Sequence, residues 1–462
     1  MEEMKTVVGL ETHLQLKTKS KLFCDCSTKN YREAQANSLV CPTCLAQPGA
    51  KPWRVNRQAL AKVVSIALAL NCKLNVGKEI FVQRKHYFYP DLASGFQRTS
   101  TPIAVNGELA GVRIREVHVE EDPGQYDLRK GTVNFNRSGV PLIEIVTEPD
   151  MSSPQQAREF LEELSAILQY LDAARDEPGS MRVDANISIS VGGAEGTRAE
   201  VKNINSFKGV ATALSFEAAR QRNLLKNGLK VAMETRHFDE NAGVTATMRR
   251  KETVDDYRYF PDPDVPPILI TKQDVEEARK AMPELPREKM KRFEREFGVT
   301  GEEAFALTME KELANSFEED AKKFDKKITT NFYRGVLKKQ LNWRNLGFGK
   351  SKVGGEVTKQ LLEMLEKKEV TKKVAEQLLI NFLDKGELPK ENAEKQGLLG
   401  VQEGEEIEKI VKEVLKENAK VVGDYKAGKK EAVHFLAGCV MKKTRGKANP
   451  QDVKKLLEKM MK

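Results

Sequence analysis

Apolar and polar residues alternate most regularly over Met181–Val191. Met181, Val183, Ala185, Ile187, Ile189 and Val191 are interleaved with Arg182, Asp184, Asn186, Ser188 and Ser190. A period of two marks a strand with one buried face, so Asp184 and Asn186 must point the same way. Residues 101–105, Asn106-Gly107 and 108–114 read as a hairpin, because Asn-Gly accepts the positive φ angles of a type I′ turn. Helical periodicity marks residues 56–70, 206–225 and 153–171. The last of these opens with Ser153-Pro154-Gln155-Gln156, the form of a capping box with proline at the first helical position. Strands that follow one another without crossover helices predict an α+β fold, an antiparallel sheet with packed helices. The proline-rich stretch DDYRYFPDPDVPP at 255–267 predicts an ordered loop. Beyond about Glu288 the pattern is helical, with a second break near 397–404.

Composition bounds the reading. At about 100–200 residues per domain, 462 residues predict two to four domains. The longest apolar stretch, residues 63–70, falls far short of the roughly 18 residues of a membrane span. The start, MEEMKTVVGLETH, is acidic and lacks the apolar run of a signal peptide. The expectation is an intracellular protein with reduced cysteines. Net charge is +9, and residues 423–462 carry 11 Lys/Arg against 4 Asp/Glu, a local +7. Such a tail suits a polyanion, RNA first; charge alone fits a solvated helix surface equally well.

The strongest chemical signal is Cys24-Asp-Cys26, fourteen residues, then Cys41-Pro-Thr-Cys44. Two short-spaced cysteine pairs can bring four thiolates to one tetrahedral zinc, leaving no open position, which is a structural site. Cys72 and Cys439 lie in apolar helical contexts and read as core. A second group is acidic. Glu11 and His13 alternate onto one face, Glu120, Glu121 and Asp122 close VRIREVHVEED, and Glu144 interrupts the apolar VPLIEIV. Hard oxygen ligands with one histidine suit Mg²⁺ held against nucleotide phosphates. For Glu121, Asp122 and Glu148 a surface acid or an ion pair is an equal reading; a lone carboxylate among residues as apolar as those around Glu144 would be costly. A third group, Arg84 to Asp91 (RKHYFYPD), sets rings beside cations, as a nucleotide or RNA surface does, although the rings fit a core as well. Arg198, Glu200 and Lys202 share one face of a strand. Gly349-Lys350-Ser351 is not a P-loop, since Arg344 stands where the upstream glycine is required. No cysteine sits in an amidase or nucleophile-elbow motif, and His237 and His434 read as structural.

The motifs GLETHLQL, KHYFYPDL, VHVEEDPG, NRSGVPLIEIVTEPD, DANISI, EVKNINSF and DDYRYFPDPD, in this order, resemble the B subunit of the aspartyl/glutamyl-tRNA(Asn/Gln) amidotransferases. The resemblance runs through residues 6–267 and continues more weakly into KAGKKEAVHFLAGCVMKKTRGKANPQ. It implies a glutamine synthetase-like cradle domain at 1–290 with a zinc knuckle at 24–44, an all-α helical domain at 291–398, and a basic helical tail at 399–462 that binds tRNA. It implies a cytoplasmic heterotrimer with an amidase, the A subunit, which supplies ammonia from glutamine, and with a small C subunit. This chain would use ATP and Mg²⁺ to phosphorylate the side-chain carboxylate of Asp or Glu on misacylated tRNA, and ammonia would displace the phosphate. Carried over by position, Glu11, His13, Glu120 and Glu144 match the catalytic acidic site, with His13, Glu120 and Glu144 toward Mg²⁺. Lys85, Tyr87, Asp184, Asn186 and Lys202 match positions lining the same cradle. Cys24, Cys26, Cys41 and Cys44 match the zinc site of those members that have one. A paralogous archaeal protein has a large inserted domain for which this chain is too short. The alternative reading is a non-catalytic tRNA-binding scaffold, which would have no need to keep Glu11, His13, Glu120 and Glu144 together.

Overall fold

A computed structural model describes residues 3–87, 89–175, 177, 179–204, 206–250, 257–400, 405–426, 429–444, 447–448 and 450–461. Phe88 of the basic and aromatic group, residues 255–256 of the proline-rich loop and residues 401–404 of the second break lie outside them. The chain forms two compact units, residues 1–286 and 287–462.

The first unit is mixed α/β. Its strands are β1 (Met4–Gln15), β2 (Lys73–Leu74), β3 (Glu79–Ile80), β4 (Val82–His86), β5 (Phe96–Ser100), β6 (Ala104–Leu109), β7 (Val112–Glu121) and β8 (Gln125–Asp127). There follow β9 (Thr132–Asn134), β10 (Pro141–Thr147), β11 (Met181–Val191), β12 (Ala199–Ile204), β13 (Glu234–Asp239), β14 (Val244–Arg250), β15 (Phe260–Pro261) and β16 (Ile268–Leu269). Twelve of them build one sheet in the order β14-β13-β12-β11-β1-β10-β7-β5-β4-β15, with β6 on β7 and β2 on β6. The ladders are antiparallel except β12 with β13. Long β1 lies between β10 and β11, so its side chains meet those of both neighbours.

The alternation along the strands divides the sheet into two faces. Val8, Leu10 and Leu14 of β1, Ile143 and Ile145 of β10, and Val183, Ala185, Ile187 and Ile189 of β11 are buried on one face. They pack with helices α1 (Arg57–Ala69), α2 (Pro154–Tyr170) and α3 (Phe207–Lys226) in one apolar core. The other face carries the polar residues. Helix starts follow the sequence. Asn56 caps α1, Ser153 accepts from the Gln156 N–H, and Ser206 caps α3. The Gln156 side chain reaches back one residue further than a capping box requires, to the Ser152 N–H at 2.9 Å.

The expected hairpin exists with its turn displaced. Val105 pairs with Glu116 and Gly107 with Ile114, and the chain reverses at Ala110-Gly111, both at positive φ. Asn106-Gly107 lies inside β6. Glycine is required at 107 by close approach: a Cβ there would run into Cys72 Sγ and come within 2.6 Å of the Leu70 carbonyl. Cys72 is therefore a buried residue just past α1, not within a helix.

The second unit is helical from Pro286–Phe297 to Pro450–Met461. Within it Ile407, Val411, Val414, Val433, Leu436, Val440, Val453 and Leu457 form a small core of their own. Gly349-Lys350-Ser351 closes a 3₁₀ turn with no strand before it.

Candidate functional site

Register across the polar face gathers the acidic residues. His13 stands opposite Glu144 on β10 and Arg182 on β11; Glu11 stands opposite Asp184. Glu144 stands opposite His118, and Glu120, two residues on, opposite Thr99. On the other side Asn186 is opposite Glu200. Two clusters result. His13 Nε2 lies 3.5 Å from Glu144 Oε1 and 3.6 Å from Glu120 Oε2. Glu11, Asp184 and Glu200 bring one oxygen each within 4.8 Å of one another, the spread also found for His13, Glu120 and Glu144. The first set offers a divalent cation one imidazole nitrogen and two carboxylate oxygens, the second carboxylate oxygens alone.

Burial sets the charges. Burial alone would lower the pKa of His13, but the hydrogen bond and charge of Glu144, then the charges of Glu120 and Asp184, push it up to about 9. Burial works against ionised Glu144 as well, yet His13 holds it below the usual carboxylate range. Glu120, 2% exposed, is raised by burial and then by the Glu144 charge. Two acids thus compete for one histidine. A divalent cation would let both ionise.

Lysines flank the clusters along the sheet. Burial opposes the charge of Lys85, but Glu120 foremost holds it well above the ordinary lysine range, and its Nζ lies 4.9 Å from the Tyr257 ring centroid. Lys202 donates to Asp184 at 2.7 Å and lies 3.5 Å from Glu200; despite burial these acids raise its pKa. Tyr87 donates to Gln97 at 3.3 Å, and Gln97 donates to Glu120 at 3.3 Å. Asn186 donates to Glu11 at 3.1 Å, while its buried Oδ1 has no partner. An unspent acceptor beside three carboxylates fits a ligand donor or a hydrated cation, since buried polar atoms are otherwise satisfied.

Other sequence expectations divide. Strand alternation splits the basic and aromatic group: Lys85 and Tyr87 face the clusters, whereas Arg84 pairs with Asp262 at 2.9 Å and His86 stacks on Phe260. Arg198 precedes β12 and is exposed, whereas Glu200 and Lys202 lie within that strand. Glu121 accepts from Arg98, and Glu148 makes a surface pair with Arg115. Asp122 is a buried joint that accepts from Gln15 at 2.6 Å and from Arg182. Sequence reading passes over His118, Gln97 and Arg182 and gives Glu200 no place among the metal candidates. The period of two in VRIREVHVEED and MRVDANIS already puts His118 with Glu120 and Arg182 with Asp184. Only pairing puts Glu200 beside Glu11.

The four cysteines converge. Cys26 and Cys44 Sγ are 4.0 Å apart, Cys41 and Cys44 Sγ 3.9 Å, and all four lie within 4.8 Å. Zinc–thiolate bonds of about 2.3 Å at tetrahedral angles require sulfurs about 3.8 Å apart, so the set fits zinc. Without a cation the thiols conflict: the hydrogen bond from Cys24 lowers the pKa of Cys44 to about 4, and burial raises that of Cys26 to about 12.

His13 gives a pH dependence in the metal-free protein. Its pKa is raised in the fold, so its contribution to stability is complete below about 6.5 and is lost as pH rises through about 9. Melting temperature followed from pH 6 to pH 10 should show this loss in the wild type and a smaller one in His13→Asn; parallel curves would exclude the coupling. A metal-bound imidazole must be neutral, so divalent-ion affinity should rise over the same range.

A polar sheet face with two carboxylate clusters and flanking lysines, with a separate group of four cysteines, defines a class, that of mixed α/β proteins whose side chains could hold metal ions. Residues 6–276 match the family model described as the GatB/GatE catalytic domain, and residues 315–461 match that of the GatB domain. The chain is 50% identical to the B subunit of the aspartyl/glutamyl-tRNA(Asn/Gln) amidotransferase of Methanobrevibacter smithii over 97% of this chain and 98% of that protein. It is 50% identical to the B subunit from Methanothermobacter thermautotrophicus over 97% of this chain and 99% of that one. For the B subunit from Methanocaldococcus jannaschii the identity is 46% over 100% and 99%. The chain belongs to the family of aspartyl/glutamyl-tRNA(Asn/Gln) amidotransferase B subunits.

Proposed function

We propose that this chain is the ATP-dependent, tRNA-binding subunit of an amidotransferase that converts Asp-tRNA(Asn), Glu-tRNA(Gln) or both to the amide. The names of its relatives support the reaction class. The observation that carries the assignment to these residues is the grouping of His13, Glu120 and Glu144 beside Glu11, Asp184 and Glu200, with Lys202 and Lys85 to either side.

A carboxylate is a poor electrophile, so its oxygen must become a leaving group. A side-chain carboxylate oxygen attacks the γ-phosphorus of ATP, the bond to the bridging oxygen breaks, and ADP leaves. Ammonia then forms the C–N bond at the carbonyl carbon, loses a proton, and phosphate departs. His13, Glu120 and Glu144 would hold one Mg²⁺, with Glu11, Asp184 and Glu200 as a second oxygen-rich cluster. Bound Mg²⁺ would draw charge from the phosphates during transfer. Lys85 and Lys202 carry fixed positive charge toward phosphate oxygens. Tyr87 and Asn186 orient groups on the same face. The ammonia comes from an amidase, the A subunit, with a small C subunit to complete a heterotrimer in the cytoplasm. Among the described residues no helix is long and apolar enough to cross a membrane.

The proposed division is a glutamine synthetase-like cradle at 1–290, a helical domain at 291–398 and a tRNA-binding tail at 399–462. The test is amidation of Asp-tRNA and Glu-tRNA by this chain assembled with its amidase partner. Product that depends on both ATP and glutamine supports the reading; an assembled complex that binds tRNA and forms none leaves a scaffold. Deleting residues after Gly404 should weaken tRNA binding at least about tenfold at low salt and flatten its salt dependence, because phosphate contacts release counterions. ATP binding should stay within about twofold. Filter binding at several salt concentrations measures both slopes, and equal slopes would place the RNA contacts elsewhere.

A further inference from the structure

Lys21 is a buried charge outside both carboxylate clusters. It is 1% exposed, and lysines are almost never buried that far without a partner. Its stem runs past Gly139, where an added Cβ would lie 3.5 Å from Lys21 Cδ. Its Nζ donates to the Phe135 carbonyl at 3.2 Å and toward Cys44 Sγ at 3.5 Å. Among the described residues no carboxylate pairs with it. A buried ammonium without an anion is costly, and a carbonyl offers only a partial charge. The anion within reach is sulfur.

We propose that Lys21 is the built-in counter-ion of the cysteine site, donating an N–H···S hydrogen bond to Cys44 and offsetting part of the negative charge of a tetrathiolate zinc centre. The inference rests on the zinc reading of Cys24, Cys26, Cys41 and Cys44 and adds a residue outside the ligand set. Four thiolates around a divalent cation leave two excess negative charges; Lys21 removes one. Cys44 also accepts from the Cys41 backbone N–H at 3.2 Å, so it is a sulfur with two donors. Groups that contact ligands from outside tune metal affinity by fixing ligand charge and orientation. The placement has a second consequence. Through Phe135 the ammonium ties the cysteine site to the turn that leads into β10 and Glu144.

Lys21→Met keeps the stem and removes the charge. In the full chain loaded with zinc, chelator competition at neutral pH should show affinity lower by about tenfold or more. Zinc release, followed with a chromogenic chelator as pH falls, should begin at a higher pH, because protons then compete better for the sulfurs. Lys21→Arg, which keeps the charge, should restore most of both. Equal affinity and release in Lys21→Met and wild type overturn the proposal. A wild-type chain that takes no zinc overturns the zinc reading, and this inference with it. A wild-type measurement stands even where Lys21→Met fails to fold. With NMR-active cadmium in the site, the Lys21 ammonium protons should exchange slowly and correlate with the metal; protons exchanging like those of an exposed lysine overturn the proposal.

Discussion

Glu144→Gln in the assembled complex is expected to lower ATP-dependent amidation by at least about a hundred-fold while tRNA binding stays near wild type. Removing a group that merely supports a metal ligand costs about ten- to a hundred-fold, and a direct ligand should reach the upper end. Glutamine keeps the shape of Glu144 and removes its charge. That charge is also the main force holding the proton on His13, so the variant disturbs two of the three groups in the cluster. Glu120→Gln should act in the same direction, since Glu120 shares His13 at 3.6 Å. Single-turnover amidation at saturating aminoacyl-tRNA, read beside filter binding, separates chemistry from RNA affinity. Turnover at the wild-type rate in both variants would remove this cluster from the reaction.

Cys41→Ser should lose zinc and lower the melting temperature by roughly 5 °C or more, as loss of a few kcal/mol does in a unit of this size. The segment between the cysteine pairs is mostly polar and has little apolar surface to bury. Its order comes from the clip and from a few hydrogen bonds. Leu39 N–H donates to Asn136 Oδ1 at 2.9 Å and Asn136 Nδ2 to the Gln35 carbonyl at 2.8 Å, while just before the first pair Leu22 N–H donates to the Gly139 carbonyl at 2.7 Å. Gly139 N–H in turn donates to the Asp122 carbonyl, two residues from Glu120. Zinc loss should therefore reduce amidation by displacing Glu120 and Glu144, with no zinc-bound step involved. Elemental analysis gives the stoichiometry, and scanning calorimetry with amidation assays gives the consequences. Full stability and activity in metal-free protein would end the structural-zinc reading.

Local signals carry far. The period of two in Met181–Val191 already pairs Asp184 with Asn186, and helical periodicity, with the Ser153 cap for one of them, places α1, α2 and α3 to within a residue or two. These features depend on a few neighbouring residues, so the sequence states them directly. The hairpin turn falls elsewhere than expected because Asn106-Gly107 satisfies the same local rule as Ala110-Gly111. The strand register sets the turn at Ala110-Gly111, and the glycine at 107 serves close packing instead, since the approach of Cys72 leaves no room for a Cβ there. The sequence likewise points to Glu11, His13, Glu120 and Glu144 without showing that they form two clusters. Sheet order and register decide that, setting His13 between Glu120 and Glu144, and Glu11 beside Asp184 and Glu200. Those partners lie far apart in the chain, and pairing between distant strands follows from packing of the whole sheet. The role of Lys21 is equally invisible, because a lysine beside a cysteine motif reads as surface until the fold buries it against sulfur.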